Sequence, residues 1–431
     1  MRVCVSGLWH LGTVTAACLA EAGHEVVGHD PDLDRVQQLA AGIPPFQEPG
    51  LQRLLNEGIA GGRLIFTTDA RSAVPNSRVL WVTHDTPVGA FDRADSASVI
   101  TAVSALFEHV TDGTLVLLSS QLPAGTTALL ANSFRSKLPD RTAHFAYSPE
   151  NLRLGTSIDS FKLAERVVIG LKDAGARTEV EELLEPLGLP IRWMSVESAE
   201  MTKHALNSFL AASIVFANEV AAVCEAVGAD IADVTRALHE DPRIGAHAYL
   251  TPGAGYAGGT LGRDVAYLGD LLVDRSIQAP LLSSIAPSNA HQQTWVQRAL
   301  VSRLGELAGK RIAVWGLTYK PSTDTLRRSA SMDLCEWLLA RQAHPVAHDP
   351  AIRELPAAVE SRIPLYSDPL DAARDADALV VMTSWPEFRS VDPAVLVERM
   401  RNPIIIDPQR HLESLAEQDS VRYAAVGWTA S

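Results

Sequence analysis

The stretch RVCVSGLWHLGTVTAACLAEAGHEVVGHD, residues 2–30, decides the fold. RVCVSG is a β-branched run that ends in glycine. TVTAACLAEAG carries apolar residues at helical spacing and stops at a glycine. HEVVGHD is a second β-branched run ending in an acid. The order strand, helix, strand predicts the crossover of a parallel sheet. Gly7 and Gly12 bracket the turn after the first strand, and Asp30 closes the second. This is the layout of a dinucleotide site: amides at a helix start meet a pyrophosphate, and the acid accepts from ribose hydroxyls. An acid at that point favours NAD over NADP. The fingerprint departs from its pattern at Trp9, where a second glycine normally lets the backbone approach the ligand. Cofactor contacts are expected from Gly7, Trp9, Leu11, Gly12 and Asp30.

Working outward, RVLWVTHDTP and TLVLLSSQLPAGT continue the pattern, as strands that run into polar loops, and RVVIG reads as a late strand. From Glu197 the pattern changes. ESAEMTKHALNSFLAASIVFANEVAAVCEAVG has no proline or internal glycine, and its apolar residues recur every three or four positions. One long, largely buried helix is expected. Near residue 310 the α/β pattern restarts with KRIAVWGLTYKP, HPVAHDP, ALVVMTSWPEF and PIIIDPQ. RVCVSGLWHLG and RIAVWGLTYKP are similar to each other, which suggests two related halves. The expected division is 1–195, 196–295 and 296–431: an α/β nucleotide domain, a helical middle and a second α/β domain.

The bulk composition narrows the function classes. The chain has 431 residues, too many for one core. A net charge of −14 argues against a large nucleic-acid footprint. No run is read as approaching the roughly 18 to 20 uncharged apolar residues of a membrane span. The start lacks the apolar run of a secretory leader. Cys4, Cys18, Cys224 and Cys335 fit no metal spacing and are expected to be buried and reduced, as in a cytoplasmic protein. No metal site is expected.

The segments GHEVVGHD, FQEPGLQRLL, LPAGTT, SPENLRLG, EMTKHALNSFLAASIVFANE, DPRIG, GAGYAGG, GLTYKPSTDTLRRS and TSWPEF occur in that order. Through them nearly the whole chain resembles the UDP-glucose/GDP-mannose dehydrogenase family. The resemblance implies two Rossmann-like domains joined by a long central helix, and a homodimer built on that helix. It also implies NAD in the first domain, a nucleotide-sugar in the second and an active site between them. Relatives oxidise a primary alcohol to a carboxylate in two hydride transfers, with a cysteine capturing the intermediate aldehyde.

Carried over residue by residue, the resemblance makes Lys203 and Asn207 the groups that stabilise the alkoxide. Lying four apart, they share a helix face. Asp264 matches an aspartate that holds water and lysine, and Glu150 an acid of proton transfer. Thr86, Pro87, Gln121 and Arg327 fall among the cofactor contacts. Arg243, Tyr256, Gly258 and Lys320 fall on the substrate side, with Arg243 matching an arginine that reaches the neighbouring subunit's site.

Other positions depart from the family. Thr260 stands at the cysteine's place, in GYAGGTLGRD, and a hydroxyl offers almost no anion at neutral pH. Gln121 replaces a water-binding threonine and Leu154 a second glutamate. Gly262 and Arg263 replace a proline and a lysine. His204 stands for a tyrosine, and Arg328 for a glutamate. Pro408 and Gln409 follow Asp407 where glycine and arginine are usual, with Arg410 next in line.

Three readings follow. The first is an NAD-dependent dehydrogenase of a UDP-glucose-like nucleotide-sugar that stops at the aldehyde. The second is full four-electron oxidation through an aldehyde hydrate. The third is a non-redox relative that binds nucleotide-sugar.

Overall fold

We describe a computed structural model of the chain, covering all residues except 90–92, 151, 257–258, 319, 327–328 and 429–431. It divides into two compact units, Met1–Leu206 and Asn207–Ser431.

In the first unit, the strands are β1 (Arg2–Ser6), β2 (Glu25–His29), β3 (Leu64–Thr67), β4 (Val79–Val82), β5 (Thr114–Leu118), β6 (Ala143–Tyr147), β7 (Val167–Leu171) and β8 (Ile191–Met194). They form one sheet in the order β3-β2-β1-β4-β5-β6-β7-β8. Pairing is parallel except between β6 and β7, which run antiparallel. The sheet is covered on both faces, so its central strands β1, β4 and β5 are almost wholly buried. Residues alternate between the two covers: Val3 and Val5 belong to one core and Cys4 to the other, and Leu115 and Leu117 oppose Val116 and Leu118.

The second unit repeats the plan with β9 (Arg311–Trp315), β10 (His344–His348), β11 (Leu365–Tyr366), β12 (Ala378–Val381), β13 (Ile404–Ile406) and β14 (Arg422–Ala424), in the order β11-β10-β9-β12-β13-β14. Every pair is parallel. Ile312 and Val314 face one core and Ala313 and Trp315 the other. The protein is thus an α/β chain with two Rossmann-like sheets.

Helix Val196–Val227 joins them, and here two expectations need correcting. The helix contains an 18-residue window of mean hydropathy 1.7 with no more than two charged residues. By length and composition alone it is long and apolar enough to cross a membrane, contrary to the reading of the sequence. It is also not largely buried, since only 33% of that window is covered. Phe209, Phe216, Val223 and Val227 stay exposed along it. They recur at intervals of seven and four, so they share one stripe. The opposite stripe supplies buried Ala211, Val215, Ala221 and Cys224 to small cores in the second unit. Among the described residues no group of His, Cys, Asp and Glu could hold a metal.

Candidate active site and its nucleotide-binding loops

The turn after β1 is built by packing. Gly7 has φ +98°, and a Cβ there would lie 2.6 Å from the His84 backbone nitrogen. At Gly12 a Cβ would lie 1.8 Å from the Gly7 carbonyl oxygen. Both glycines are therefore required by the protein itself. The Thr83 hydroxyl donates to the Gly7 carbonyl at 2.8 Å and fixes the turn from β4. The turn leads into helix His10–Glu21, whose start carries no side-chain cap and no acid in its first turn. The amides of its first turn and its positive dipole end suit a pyrophosphate.

Asp30 lies at the end of β2, and its side chain is only 4% exposed. One oxygen accepts from the Leu8 amide at 2.7 Å and from Arg35 at 3.0 Å. The other accepts from the Asp32 amide at 3.0 Å. A carboxylate has about four acceptor positions, so one remains for a ribose hydroxyl. Trp9 is 40% exposed, with its ring turned onto Phe46 and Arg35. Leu11 is half-buried. This set fits an NAD adenosine and pyrophosphate.

Beneath the loop lies a polar chain that the sequence reading missed. The Ser6 hydroxyl is 3.0 Å from His29 Nδ1 and 3.2 Å from His84 Nε2. Burial pushes the His84 imidazole down to about 4, against the pull of Asp30, and lowers His29 as well. Both are neutral at pH 7.

The second sheet repeats this loop in detail. Gly316 has φ +86°, and a Cβ there would meet Thr383 Cβ at 2.5 Å. Asp349 takes the place of Asp30 and accepts from the Leu317 amide at 2.6 Å. It also accepts from the Thr318 amide and hydroxyl, from Trp385 Nε1 and from the Ala351 amide. Four of these five donors crowd one oxygen and the Ala351 amide takes the other, so with 2% exposure Asp349 is more heavily committed than Asp30.

The loop after β5 is held by the central helix. Glu200 is fully buried and accepts from the Gly125 amide at 2.6 Å, the Thr127 amide at 2.9 Å and the Thr127 hydroxyl at 2.7 Å. It caps helix Thr126–Lys137, whose own N-cap, Gly125, has no side chain to do so. One turn later His204 Nε2 meets the Leu122 carbonyl at 3.0 Å. Within this loop the Gln121 carbonyl accepts from the Thr86 hydroxyl at 2.7 Å, which joins two expected cofactor residues. The neighbouring Pro87 carbonyl accepts from the Asp95 amide at 2.7 Å.

The other expected residues divide clearly. Asn207 Nδ2 donates to Asp264, and both side chains are buried, Asp264 completely. Lys203 is half-buried one helical turn before Asn207. Asp264 lies in helix Thr260–Asp274. Thr260 is exposed at the first position of that helix, and Leu154 is 49% exposed. Glu150 is half-buried and accepts from the Leu152 amide. The glycine-rich loop before Thr260 hangs on side-chain amides. Asn289 Oδ1 accepts from the Tyr256 amide at 2.9 Å, and Asn289 Nδ2 and Gln293 Nε2 donate to the Tyr256 carbonyl. Asn218 accepts from the Gly253 amide, and Gln292 donates to the Gly253 carbonyl.

Arg243 is 87% exposed and pairs with Asp241 at 2.7 Å. Lys320 is half-buried, and its carbonyl accepts from Thr323. Gln409 accepts from the Ser384 hydroxyl at 2.6 Å. Arg410 pairs with Asp230 at 2.6 Å, donates to the Gly427 carbonyl and lies over Trp428, so its guanidinium is committed to structure. Gly258, Arg327 and Arg328 lie outside the described residues.

Comparison with known proteins assigns these parts. Residues 1–188 match the NAD binding domain of the UDP-glucose/GDP-mannose dehydrogenase family, 197–291 its central domain and 313–414 its UDP binding domain. NAD is the cofactor of the first sheet. The chain is 34% identical to a UDP-glucose 6-dehydrogenase of Pseudomonas aeruginosa, covering 94% of this chain and 93% of that one. It is 32% identical to the UDP-glucose 6-dehydrogenase TuaD of Bacillus subtilis, over 98% and 92% of the two chains. The structure of a UDP-glucose dehydrogenase from the archaeon Pyrobaculum islandicum matches with a TM-score of 0.89 at 29% identity, over 99% and 98% of the two chains. With three domain models matched in order and relatives aligned almost end to end, the chain belongs to the UDP-glucose/GDP-mannose dehydrogenase family.

Proposed function

We propose that this NAD-dependent nucleotide-sugar dehydrogenase oxidises the primary alcohol of a UDP-glucose-like substrate and stops at the aldehyde. One observation carries the reading. The buried Asn207–Asp264 pair supports a set of groups suited to an alcohol, while the position suited to aldehyde capture holds a hydroxyl. Lys203 and Asn207 stabilise the developing alkoxide, Asp264 fixes the Asn207 amide, and Glu150 handles the proton. NAD, held by the loop after β1 and by Asp30, would supply the hydride acceptor. Thr260 sits at the first position of a helix, where the dipole would favour a thiolate. A threonine hydroxyl gains too little from that to become a nucleophile.

On this reading Gly7, Trp9, Leu11, Gly12, Asp30, Thr86, Pro87, Gln121 and Arg327 serve the cofactor. Arg243, Tyr256, Gly258 and Lys320 serve the nucleotide-sugar. The matched models over 1–188, 197–291 and 313–414 support a division at 1–195, 196–295 and 296–431. The exposed stripe of Phe209, Phe216, Val223 and Val227 supports a homodimer on the central helix, and the 87% exposure of Arg243 supports its serving a partner's site once it leaves Asp241. The four free, buried cysteines support a cytoplasmic setting.

The test is stoichiometry with mass analysis of the product. One NADH per substrate and an aldehyde trapped as its oxime are expected. Two NADH and a carboxylate would refute the reading and favour oxidation through the hydrate. Failure of every nucleotide-sugar to yield NADH would favour the non-redox alternative.

A further inference from the structure

The three glycine positions of the nucleotide fingerprint have different masters in this chain. The first and third are fixed by protein contacts, since Cβ atoms at Gly7 and Gly12 would strike backbone at 2.6 Å and 1.8 Å. The second is fixed in such sites by the ligand, whose phosphates approach the backbone there. This chain places its largest side chain type at that position. The indole of Trp9 is turned aside and held. Its ring centroid is 6.0 Å from that of Phe46, edge-on at 63°, and the Arg35 guanidinium lies 5.5 Å from the ring. The His10 ring also packs on Phe46, edge-on, with centroids 5.1 Å apart. Arg35 is itself anchored, at 3.0 Å from Asp30 and 3.2 Å from Asp32.

The acid beside this cluster has little to offer. Asp30 is 4% exposed and already takes three donors, so it can hold one ribose hydroxyl with ease but not two. What the loop presents to a ligand is the 40% exposed Trp9 and the 27% exposed Arg35. An aromatic face beside a guanidinium is a stacking surface for a purine nucleoside.

We propose that Trp9, braced by Phe46 and Arg35, is a binding wall for the adenosine half of NAD. It replaces affinity lost at Asp30 and at the missing second glycine. The proposal rests on the NAD site of the first sheet and adds a determinant to it.

Calorimetry with ADP-ribose, NAD and nicotinamide mononucleotide separates the two. Binding of ADP-ribose and NAD by the unaltered protein reports the site itself. Trp9→Gly, which restores the usual glycine, is expected to weaken ADP-ribose and NAD by the same factor, about tenfold for one lost stacking partner. Trp9→Phe should keep most of the affinity, and nicotinamide mononucleotide should not change with either variant. Matched melting curves confirm that the variants fold. If Trp9→Gly binds ADP-ribose as well as or better than the parent, the ring is an obstruction and the proposal is wrong. If ADP-ribose does not bind the parent protein, the site itself fails and the proposal falls with it.

Discussion

Replacing Glu200 by glutamine should loosen the loop that carries Gln121. In the parent, one buried carboxylate serves three donors, at 2.6, 2.7 and 2.9 Å, and stands at the start of helix Thr126–Lys137. Glutamine keeps one acceptor oxygen and turns an amide group toward a donor. At least one hydrogen bond to a charged acceptor is lost, worth about 1.5–3 kcal/mol. The lost charge at the helix start adds about 1 kcal/mol. A total near 3 kcal/mol is therefore expected for local opening, and Glu200→Ala should exceed it by leaving every donor unpaired. The assay is hydrogen exchange read by mass spectrometry on peptides spanning 119–137. In the regime of rapid reclosing, 3 kcal/mol corresponds to roughly a hundredfold faster exchange. Peptides from β9 and β12, which Glu200 does not touch, serve as the internal control. Exchange within threefold of the parent in both variants would refute the capping role.

Other predictions follow from the same geometry. The folded pKa of His84, about 4, lies below its ordinary 6.5, so the unfolded chain takes up the proton first. Its stabilising contribution is full above about pH 6.5 and falls away toward pH 4, by roughly 3 kcal/mol. Urea titrations across that range should show the slope, and His84→Gln should flatten it. The thiols of Cys4, Cys18 and Cys335 are buried and pushed up to about 12, and Cys224 is also buried. Brief iodoacetamide treatment of the native protein should therefore leave NADH formation intact, and rapid inactivation would point to an essential thiol. Phe216→Asp places a charge in the exposed apolar stripe and should shift sedimentation from dimer to monomer. A parent that already sediments as a monomer would dismiss the dimer.

The parts of the site legible in the sequence were those encoded locally. Gly7, Gly12 and Asp30 follow from strand and helix spacing, whereas Lys203 and Asn207 entered only through the family resemblance, helical spacing adding that they share a face. The contacts that finish the site come from far along the chain. Glu200 reaches Gly125 and Thr127, and its only mark in the sequence is an acid within an apolar helix. His84 meets Ser6 through sheet pairing of β1 with β4. The amides that hold Gly253 and Tyr256 look like ordinary polar residues of helices until the loop is placed on them. Short strands such as β3, β8 and β11 lack the long apolar runs of central strands, because edges of a sheet are less covered. The central helix misled in the other direction. Its apolar periodicity signals a buried element, yet one stripe of it stays bare.

The pair Asp30 and Asp349 shows how one loop design can end in two uses. Both acids close a second strand and both receive the amide that follows the loop glycine. In the second sheet, the Thr318 hydroxyl and the Trp385 indole supply donors that a bound sugar could otherwise bring. One fingerprint of glycine and acid thus stands over two acids of different commitment, three donors on Asp30 and five on Asp349. Counting the donors an acid already takes tells apart two loops that the fingerprint alone leaves equal.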